Sequence, residues 1–358
     1  MAHPLSGARA SLLRRVLREA GPVDRRRLLP ILGSVIGRMP VTALEDLVAR
    51  GLRPADALTP PVFILGHWRS GTTHLYNMMS LGDFAYVPPV AVGLPAETLT
   101  LARWLRPFLE RQLPESRYID NIPVTPTSPQ EDEIALANLS PLSFYHGIYF
   151  PRRFDWFVDR GLFLDDASDR DIADWEAGFT LFMRKLDRVF AGRRLLIKNP
   201  VYTARPGQLL KLFPGAKIIH IHRDPFDVFP SMQNFYAKLF PVMALQPWDH
   251  VDIDGAILRI YDRMMRQFTE QTADLAAPDF VEVPYRQLND DPIGTIGSIY
   301  ETLDIAGFED ARPRFEAYLE SIRGYQKNRF RQAASETTER IAEAWAPWLE
   351  RWGYERPV

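Results

Sequence analysis

PVFILGHWRSGTT, residues 61–73, joins a short apolar run to two glycines and two threonines. The apolar run predicts a buried strand, and Gly66 and Gly71 predict a tight loop that opens a helix. Such a loop directs backbone N–H groups at a bound anion. The spacing matches a P-loop, except that Thr72 stands where a nucleotide-hydrolysing P-loop carries its lysine. The positive charge lies earlier, at Arg69.

The core of this loop, RSGTT, resembles the 5′-phosphosulfate loop of sulfotransferases that use 3′-phosphoadenosine 5′-phosphosulfate (PAPS). In that family a lysine or arginine followed by Ser-Gly-Thr-Thr holds the 5′-phosphosulfate. The resemblance implies that the loop binds PAPS. The residues concerned are Arg69, Ser70, Gly71, Thr72 and Thr73.

A second segment, AKIIHIHRDPFDVFPSM at 216–232, resembles the family's 3′-phosphate element. Its pattern predicts a strand that ends at Arg223, a turn at Asp224 and Pro225, and a helix that carries Ser231. An arginine at the end of a strand offers a bidentate fork for a phosphate, and a serine in the next helix adds a hydroxyl donor. The resemblance implies that this arginine and this serine bind the 3′-phosphate.

The resemblance, closest to bacterial members of the superfamily, extends over about residues 61–331. LLIKNP at 195–200 is similar to the family's strand that ends in a lysine, which implies that Lys198 lies beside the transferable group. VEVPYRQL at 281–288 is similar to a later strand, which implies that Tyr285 contacts the cofactor.

GYQKNRFR, residues 324–331, resembles the late basic segment that closes over the cofactor in many relatives. This resemblance implies three further 3′-phosphate ligands, namely Lys327, Asn328 and Arg329. An alternative interpretation of Arg329 and Arg331 is a solvated charged face without a ligand.

The resemblance leaves the general base open. Cytosolic members of the family place a catalytic histidine two residues after the lysine that Lys198 resembles, and this chain has Pro200 there. Other members use a glutamate after the first motif. A carboxylate or an imidazole can take the proton of an acceptor hydroxyl. The candidates are Glu131, Glu133, His67 and Glu97.

Composition limits the function classes. The chain has 358 residues, 46% of them hydrophobic, which predicts a globular protein with a substantial core. A formal charge of −2 argues against non-specific nucleic-acid binding. The chain has no cysteine, which excludes a disulfide, a thiolate nucleophile and a cysteine-ligated metal. Sulfuryl transfer requires no metal in principle, so no metal is expected.

His220 and His222 alternate on the strand that precedes Arg223 and share one face. This spacing suits a metal, but no carboxylate or cysteine partner stands at a fixed distance from the pair. The favoured interpretation is structural, with each histidine satisfied by its neighbours.

The predicted fold class is α/β: a three-layer P-loop-like fold with a central parallel β-sheet flanked by helices, plus an N-terminal helical cap. Strands and helices alternate over 195–239, which favours parallel strands. Residues 1–60 are predicted to be a helical extension packed on the core. Residues 61–331 are predicted to be the sulfotransferase domain, with an irregular acceptor-pocket insertion near 87–150, and residues 332–358 a C-terminal helix.

Periodicity near the N-terminus predicts helices at 11–20, 24–37 and 42–50, with Asp24 as an N-cap. The apolar stripe of the first helix is expected to pack inside the protein. A peripheral membrane contact is the alternative, since arginines lie beside the stripe. The stripe consists of Leu12, Leu13, Val16 and Leu17.

The sequence shows neither the apolar region of a signal peptide nor the ~20 consecutive apolar residues of a membrane-spanning helix. Cytoplasmic location without a transmembrane segment is therefore expected, and it fits a cofactor made in the cytoplasm. The residues do not predict an oligomeric state.

The proline-rich stretch at 87–129 is too long for a simple connector, and three of its aromatic residues are candidates to line an acceptor pocket or to cover a core edge. These are Trp104, Phe108 and Tyr118. The following segment, 128–140, is predicted to be a helix that Ser128 caps, with acids in its first turn.

Together these features predict a PAPS-dependent sulfotransferase that acts on a hydroxyl or an amine of a small or lipid-like acceptor. Two alternatives remain at this point. One is a P-loop nucleotide kinase or NTPase, which the missing lysine disfavours. The other is a non-catalytic nucleotide-binding scaffold, which has no need for both Arg69 and Lys198.

Overall fold

Four short strands form a parallel sheet in the computed structural model, which describes residues 2–111, 125–324 and 335–357. The strands are β1 Val62–Leu65, β2 Leu196–Lys198, β3 Lys217–His222 and β4 Phe280–Pro284. They lie in the order β2-β1-β3-β4, and each neighbouring pair is parallel. Phe63 pairs with Ile197, and Ile64 pairs with Ile219.

Helices account for most of the remaining regular structure. In chain order they are α1 Ala10–Ala20, α2 Arg25–Ala49, α3 Thr72–Met79, α4 Pro89–Gly93, α5 Leu101–Trp104, α6 Arg106–Glu110, α7 Glu133–Leu136, α8 Tyr145–Tyr149, α9 Phe154–Phe163, α10 Asp169–Val189, α11 Pro206–Leu212, α12 Pro225–Met243, α13 Ile253–Gln271, α14 Tyr285–Asp290, α15 Pro292–Thr302, α16 Phe308–Ser321, α17 Ser335–Ala344 and α18 Ala346–Trp352. Single 3₁₀ turns occur at Pro4–Gly7, Ala55–Ala57, Pro95–Glu97, Pro151–Arg153 and Pro200–Ala204.

The chain divides into two compact units that alternate along the sequence. The first unit comprises Met1–Thr59, Ala85–Leu195 and Lys238–Val251. The second comprises Pro60–Phe84, Leu196–Ala237 and Asp252–Val358. The whole sheet therefore belongs to the second unit, together with α3 and α13. The domain boundaries expected near residues 60 and 331 stay a prediction.

The core of the second unit is built on the central strands. All four residues of β1 are buried, as expected for a parallel strand that is covered on both faces. The ring of Phe63 packs edge-on against Tyr202 at 6.2 Å and lies 6.1 Å from Phe213. The α/β fold with a parallel sheet between helices is thereby confirmed.

The first unit contains one long helix where the sequence predicted two. Helix α2 is continuous from residue 25 to residue 49, although Pro30 and Pro40 lie inside it. Asp24 is the N-cap, as predicted, because its carboxylate accepts a hydrogen bond from the N–H of Arg26 at 2.8 Å. The prediction of two separate helices is wrong. Arg38, before Pro40, and Glu45, after it, each form a buried ion pair, and these pairs hold both halves of α2 against the rest of the first unit.

The apolar stripe of α1 packs inside the first unit. Leu12, Leu13 and Val16 are buried, and Leu17 is half-buried. The packing prediction is therefore confirmed for this stripe. The alternative, a membrane contact of the same residues, is wrong, since side chains covered by protein cannot enter a lipid surface.

The predicted helix at 128–140 is shorter than expected. The structure has only α7 there, and Ser128 caps no helix. The hydroxyl of Ser128 instead accepts a hydrogen bond from the N–H of Thr125 at 2.9 Å and closes a turn. Local bonds between a serine side chain and nearby backbone compete with helix formation in this way.

Candidate active site

The strand β1 leads into the predicted loop through Gly66. Any other residue at this position would force the neighbouring backbone to move. Gly66 has φ of 146°, and a Cβ atom on it would lie 2.3 Å from the carbonyl oxygen of Ile221 in β3. Its N–H donates to the hydroxyl of Thr203 at 2.8 Å. The loop therefore leaves the sheet in close contact with the backbone of the neighbouring strand.

Gly71 is the second glycine of the loop and the N-cap of α3. Its φ is 95°, in the left-handed region, and it has no side chain to cap the helix. A Cβ atom on Gly71 would lie 2.3 Å from the ring of Tyr285. The N–H groups in the first turn of a helix have no partner within the helix and carry the positive end of its dipole. The start of α3 is therefore suited to an anion.

Arg69 joins the two predicted cofactor segments. Its own backbone is in the left-handed region, with φ of 71°, which is unusual for a residue with a side chain. Its Nε donates to the hydroxyl of Ser231 in α12 at 2.8 Å. Its carbonyl oxygen accepts a long hydrogen bond from Nη1 of Arg223 at 3.5 Å. Two segments that are about 150 positions apart in the sequence thus meet at one place.

Arg223 lies between an acid and an aromatic ring. Its Nε and Nη2 donate to one carboxylate oxygen of Asp227, at 3.1 and 2.8 Å. Its guanidinium carbon lies 4.8 Å from the ring centroid of Tyr285. Tyr285 therefore touches both the arginine of the second segment and the site of Gly71 in the first. The cofactor contact that the resemblance implied for Tyr285 stays a prediction.

Lys198 ends β2 and is buried. Its ammonium donates to the hydroxyl of Thr73 at 3.4 Å and lies 6.0 Å from the ring centroid of Tyr76. Because β2 is parallel to β1, the carboxyl end of the strand brings this lysine to the loop. The donors collected in this region are cations, hydroxyls and helix N–H groups, which are the groups that bind phosphate and similar oxyanions in proteins.

His67, a candidate base, lies inside the same loop. It is buried, its Nδ1 lies 2.9 Å from the carbonyl oxygen of Trp68, and its ring lies 4.9 Å from that of Tyr261. Its Nε2 has no hydrogen-bond partner among the described residues. Burial lowers the pKa of His67 to about 4, so the ring is neutral near pH 7.

The carboxylate candidates belong to the first unit. Glu133 is buried and accepts hydrogen bonds from the hydroxyl of Ser143 at 2.7 Å and the N–H of Phe144 at 3.0 Å. Glu131 is half-buried. Glu97 is buried and ion-paired with Arg38 at 2.5 Å. That pairing is consistent with a structural role for Glu97, because a buried carboxylate needs a partner of opposite charge.

Other sequence candidates fall in different places. Trp104 and Phe108 are exposed on α5 and α6. Five further candidates lie outside the described residues: Tyr118, Lys327, Asn328, Arg329 and Arg331. His220 and His222 each have a partner of their own: the Nδ1 atoms lie 2.8 Å from the carboxylate of Glu282 and 2.8 Å from the hydroxyl of Tyr354, respectively. These partners support the structural interpretation of the pair. Within the described ranges, no group of three or more histidine, aspartate and glutamate side chains is arranged to hold a metal.

Two contributors to the site were missed in the sequence. Thr203 has no signal, because its bond to the N–H of Gly66 depends on how two distant segments meet. Asp227 did have a signal. It stands four residues after Arg223 in the first turn of a predicted helix, where an ion pair of this spacing is common.

Comparison with known proteins identifies a family. The family model described as "Sulfotransferase family" matches residues 60–310. The omega-hydroxy-beta-dihydromenaquinone-9 sulfotransferase Stf3 of Mycobacterium bovis is 32% identical over 320 residues, which cover 87% of this chain and 80% of that protein.

Two solved structures share the fold. Sulfotransferase STF9 from Mycobacterium avium has a TM-score of 0.65 at 17% identity, over 97% of this chain and 87% of that one. Sulfotransferase STF1 from Mycobacterium tuberculosis H37Rv has a TM-score of 0.61 at 17% identity, over 94% of this chain and 90% of that one.

Proposed function

This chain belongs to the sulfotransferase family, and we propose that it transfers a sulfuryl group from PAPS to a hydroxyl of a lipid-like acceptor. The observation that carries the proposal is the meeting of Arg69, Ser231 and Arg223 beside the start of α3. Family membership removes the nucleotide-kinase alternative. The relative named above acts, by its name, on a menaquinone derivative with a terminal hydroxyl, which suggests an acceptor of that class.

The residues present fit the co-substrate. The 5′-phosphosulfate is assigned to the loop and the start of α3, where Gly71 leaves the helix N–H groups uncovered by any side chain of its own. The residues in this role are Arg69, Ser70, Gly71, Thr72 and Thr73. The 3′-phosphate is assigned to Arg223 and Ser231, with Tyr285 beside them. Lys327, Asn328 and Arg329 are proposed as additional ligands of that phosphate.

When bound, PAPS supplies the sulfuryl group and leaves as the 3′,5′-bisphosphate. Arg69 and the first-turn N–H groups of α3 neutralise charge on the leaving phosphate, and Lys198 holds the oxygens of the sulfuryl group. Arg223 and Ser231 act away from the reacting bond. Their role is therefore to bind the nucleotide and to fix its position in the site.

The acceptor hydroxyl loses its proton as its oxygen bonds to sulfur. Glu131, Glu133 and His67 are the proposed candidates to accept this proton. His67 is neutral near pH 7 and has an unpartnered Nε2, while Glu133 already accepts two hydrogen bonds. Conservative replacements distinguish these candidates: Glu131→Gln, Glu133→Gln and His67→Asn. Only the loss of the true base should remove the decrease in rate that its protonation causes at low pH.

The remaining expectations belong to this proposal. We place the enzyme in the cytoplasm, where PAPS is made, and assign 61–331 as the sulfotransferase domain between the 1–60 extension and the 332–358 tail. An amine acceptor and a small non-lipid acceptor remain within the reaction class. No metal is assigned to the reaction.

Calorimetry with 3′-phosphoadenosine 5′-phosphate, with ATP and Mg²⁺ as the parallel ligand, tests the donor assignment. Metal-independent binding of the bisphosphate is expected, with much weaker binding of ATP. Mass spectrometry then follows sulfation of an omega-hydroxylated menaquinone by the wild type and by Lys198→Ala. A preference for ATP would overturn the donor, while bisphosphate binding without product would reject only the acceptor.

A further inference from the structure

Helix α2 buries charged side chains and exposes apolar ones, which is unusual for a helix on the surface of a protein in water. Its charged residues between positions 28 and 45 face inwards: Arg38 pairs with Glu97, and Glu45 pairs with Lys185. Several of its large apolar residues face outwards, led by Leu29 and Ile36, which are 67% and 61% exposed, whereas Ile31 and Val35 are buried on the inner side. A surface helix normally shows the opposite arrangement.

The exposed residues follow one stripe along α2, which we call the α2 face. Its members recur at spacings of three and four, as one side of a helix requires. They are Leu29, Gly33, Ile36, Pro40, Leu44 and Leu47, and all are exposed. The stripe is about 27 Å long from the helical rise of 1.5 Å per residue. No charged side chain belongs to this stripe.

An exposed arginine stands at each end of the α2 face. Arg25 lies four residues before Leu29, and Arg50 lies three residues after Leu47, so both continue the stripe. Arg26 is exposed beside the first of them. Two exposed acids lie near the stripe: Asp24 caps α2 through the N–H of Arg26, and Asp46 is ion-paired with Arg9 at 2.6 Å. An apolar stripe with cationic ends complements the hydrocarbon edge and the anionic headgroups of a phospholipid surface.

A second apolar segment starts beside α2. The N–H of Leu99 and the hydroxyl of Thr100 donate to the carboxylate of Glu45, at 3.0 and 2.8 Å. Helix α5 begins at the next residue, and α5 and α6 expose Trp104 and Phe108, each to 59%. A tryptophan next to exposed arginines at 103 and 106 is a composition typical of membrane interfaces.

We propose that the α2 face docks on the surface of an anionic phospholipid bilayer, with α2 lying in the plane of the interface. Among the described residues, α2 is the helix that is long and apolar enough to cross a membrane. It does not cross one in this arrangement, because Arg38 and Glu45 fasten its other side to the first unit through buried ion pairs. The inference rests on the first unit alone and does not need the proposed function.

Co-sedimentation of the full chain with vesicles tests the surface. Vesicles of equimolar phosphatidylcholine and phosphatidylglycerol are expected to bind the wild type, and phosphatidylcholine alone to bind it more weakly. Ile36→Glu with Leu44→Glu should weaken binding at least about tenfold, because two side chains that enter the lipid become charged. The control is Val189→Glu with Ala273→Glu, since Val189 is 45% exposed at the end of α10, Ala273 is exposed in the turn after α13, and neither belongs to the α2 face. Arg25→Ala with Arg26→Ala should weaken binding to the anionic vesicles only.

A second measurement does not depend on the fold of the glutamate variants. Because the chain has no cysteine, Ile36→Cys can be labelled alone with a polarity-sensitive fluorophore. Its emission should shift to the blue when anionic vesicles are added, and that of labelled Val189→Cys should not. Equal vesicle binding by the wild type and Ile36→Glu/Leu44→Glu, or no shift at position 36, would overturn the proposal. So would a dimer, measured by light scattering without lipid, that these substitutions dissociate, since the occupant would then be a second copy of the chain.

The donor assignment is checked in the same proteins. Both double-glutamate variants should bind 3′-phosphoadenosine 5′-phosphate like the wild type. A protein that binds vesicles but no bisphosphate would reject the proposed function and leave the membrane surface standing.

Discussion

The Nε of Arg69 donates a hydrogen bond to the hydroxyl of Ser231 at 2.8 Å. This bond connects the loop after β1 to the helix after β3, so the two segments proposed to bind the phosphates of PAPS are held together. Arg69 also keeps its backbone in the left-handed region, which costs free energy that the surrounding contacts must offset. The bond to Ser231 is one of the contacts that hold the loop in this conformation.

Ser231→Ala removes this bond and the hydroxyl that is proposed to bind the 3′-phosphate. We expect about tenfold weaker binding of 3′-phosphoadenosine 5′-phosphate, because one hydrogen bond contributes roughly 0.5–1.5 kcal/mol. Calorimetry measures the change. Ser80→Ala is the control, since the hydroxyl of Ser80 only bonds the carbonyl of Asn77 at the end of α3. An unchanged affinity of Ser231→Ala would contradict the assignment of this serine.

Gly71→Ala introduces a methyl group where the ring of Tyr285 already lies, at 2.3 Å. We expect a loss of about 1–3 kcal/mol in the free energy of unfolding from the left-handed backbone and the clash together. Bisphosphate binding should fall strongly, because the start of α3 must move. Chemical denaturation and calorimetry give the two quantities.

Gly307→Ala distinguishes the cost of the left-handed backbone from the cost of the clash with Tyr285. Gly307 is also a left-handed N-cap, with φ of 89°, and a Cβ atom on it would meet nothing within 4 Å. Its replacement should lower stability by only about 1 kcal/mol, the cost of the backbone conformation. Nucleotide affinity should not change. Equal effects of both substitutions on binding would show that Tyr285 does not restrict the loop.

The parts of this molecule that could be predicted from the sequence are those set by neighbouring residues. The strand before Gly66, the turn at Asp224 and the cap at Asp24 follow from local patterns. The contact between Tyr285 and Gly71 could not be predicted, because it depends on the order of strands in the sheet.

The continuity of α2 was missed for a related reason. Local rules place a helix end near Pro40, whereas the ion pairs of Arg38 and Glu45 with distant residues keep the helix intact. Charged residues inside an apolar run also gave no indication of which side of α2 faces the protein. That information lies in their partners, Glu97 and Lys185, which are far away in the sequence.

Glu45 and Lys185 form a buried ion pair in the first unit, with side chains 0% and 1% exposed and a separation of 2.8 Å. Lys185 also donates to the carbonyl oxygens of Pro95 and Ala96, at 3.1 and 2.8 Å. Lys185→Met leaves a buried carboxylate without its cation, so we expect a loss of about 3–5 kcal/mol in the free energy of unfolding. Glu45→Leu should cost a similar amount.

The double variant Glu45→Leu/Lys185→Met tests the coupling. It should be more stable than either single variant, because an apolar pair carries no unpaired charge. Denaturant unfolding of all four proteins completes the cycle. Additive losses would mean that the pair does not act as a unit and does not fasten α2.

Two buried histidines should make the protein sensitive to acid. Burial lowers the pKa of His67 to about 4, and burial, together with the nearby His220, lowers the pKa of His222 to about 4, from an ordinary value of 6.5. The unfolded chain therefore binds more protons than the folded one between these values. The free energy of unfolding should fall as the pH drops from 6.5 towards 4, by about 1.4 kcal/mol per pH unit for each histidine.

Urea titrations across this range measure the slope, and His222→Gln should reduce it by the contribution of one group. His250→Gln serves as the control for the same substitution at an exposed histidine. The free energy should be nearly independent of these two histidines well above pH 6.5, since both are then neutral in either state. A slope that His222→Gln leaves unaltered would mean that His222 titrates in the folded protein as it does in the unfolded chain, and that burial against Trp352, at a ring distance of 4.6 Å, does not exclude the charged form.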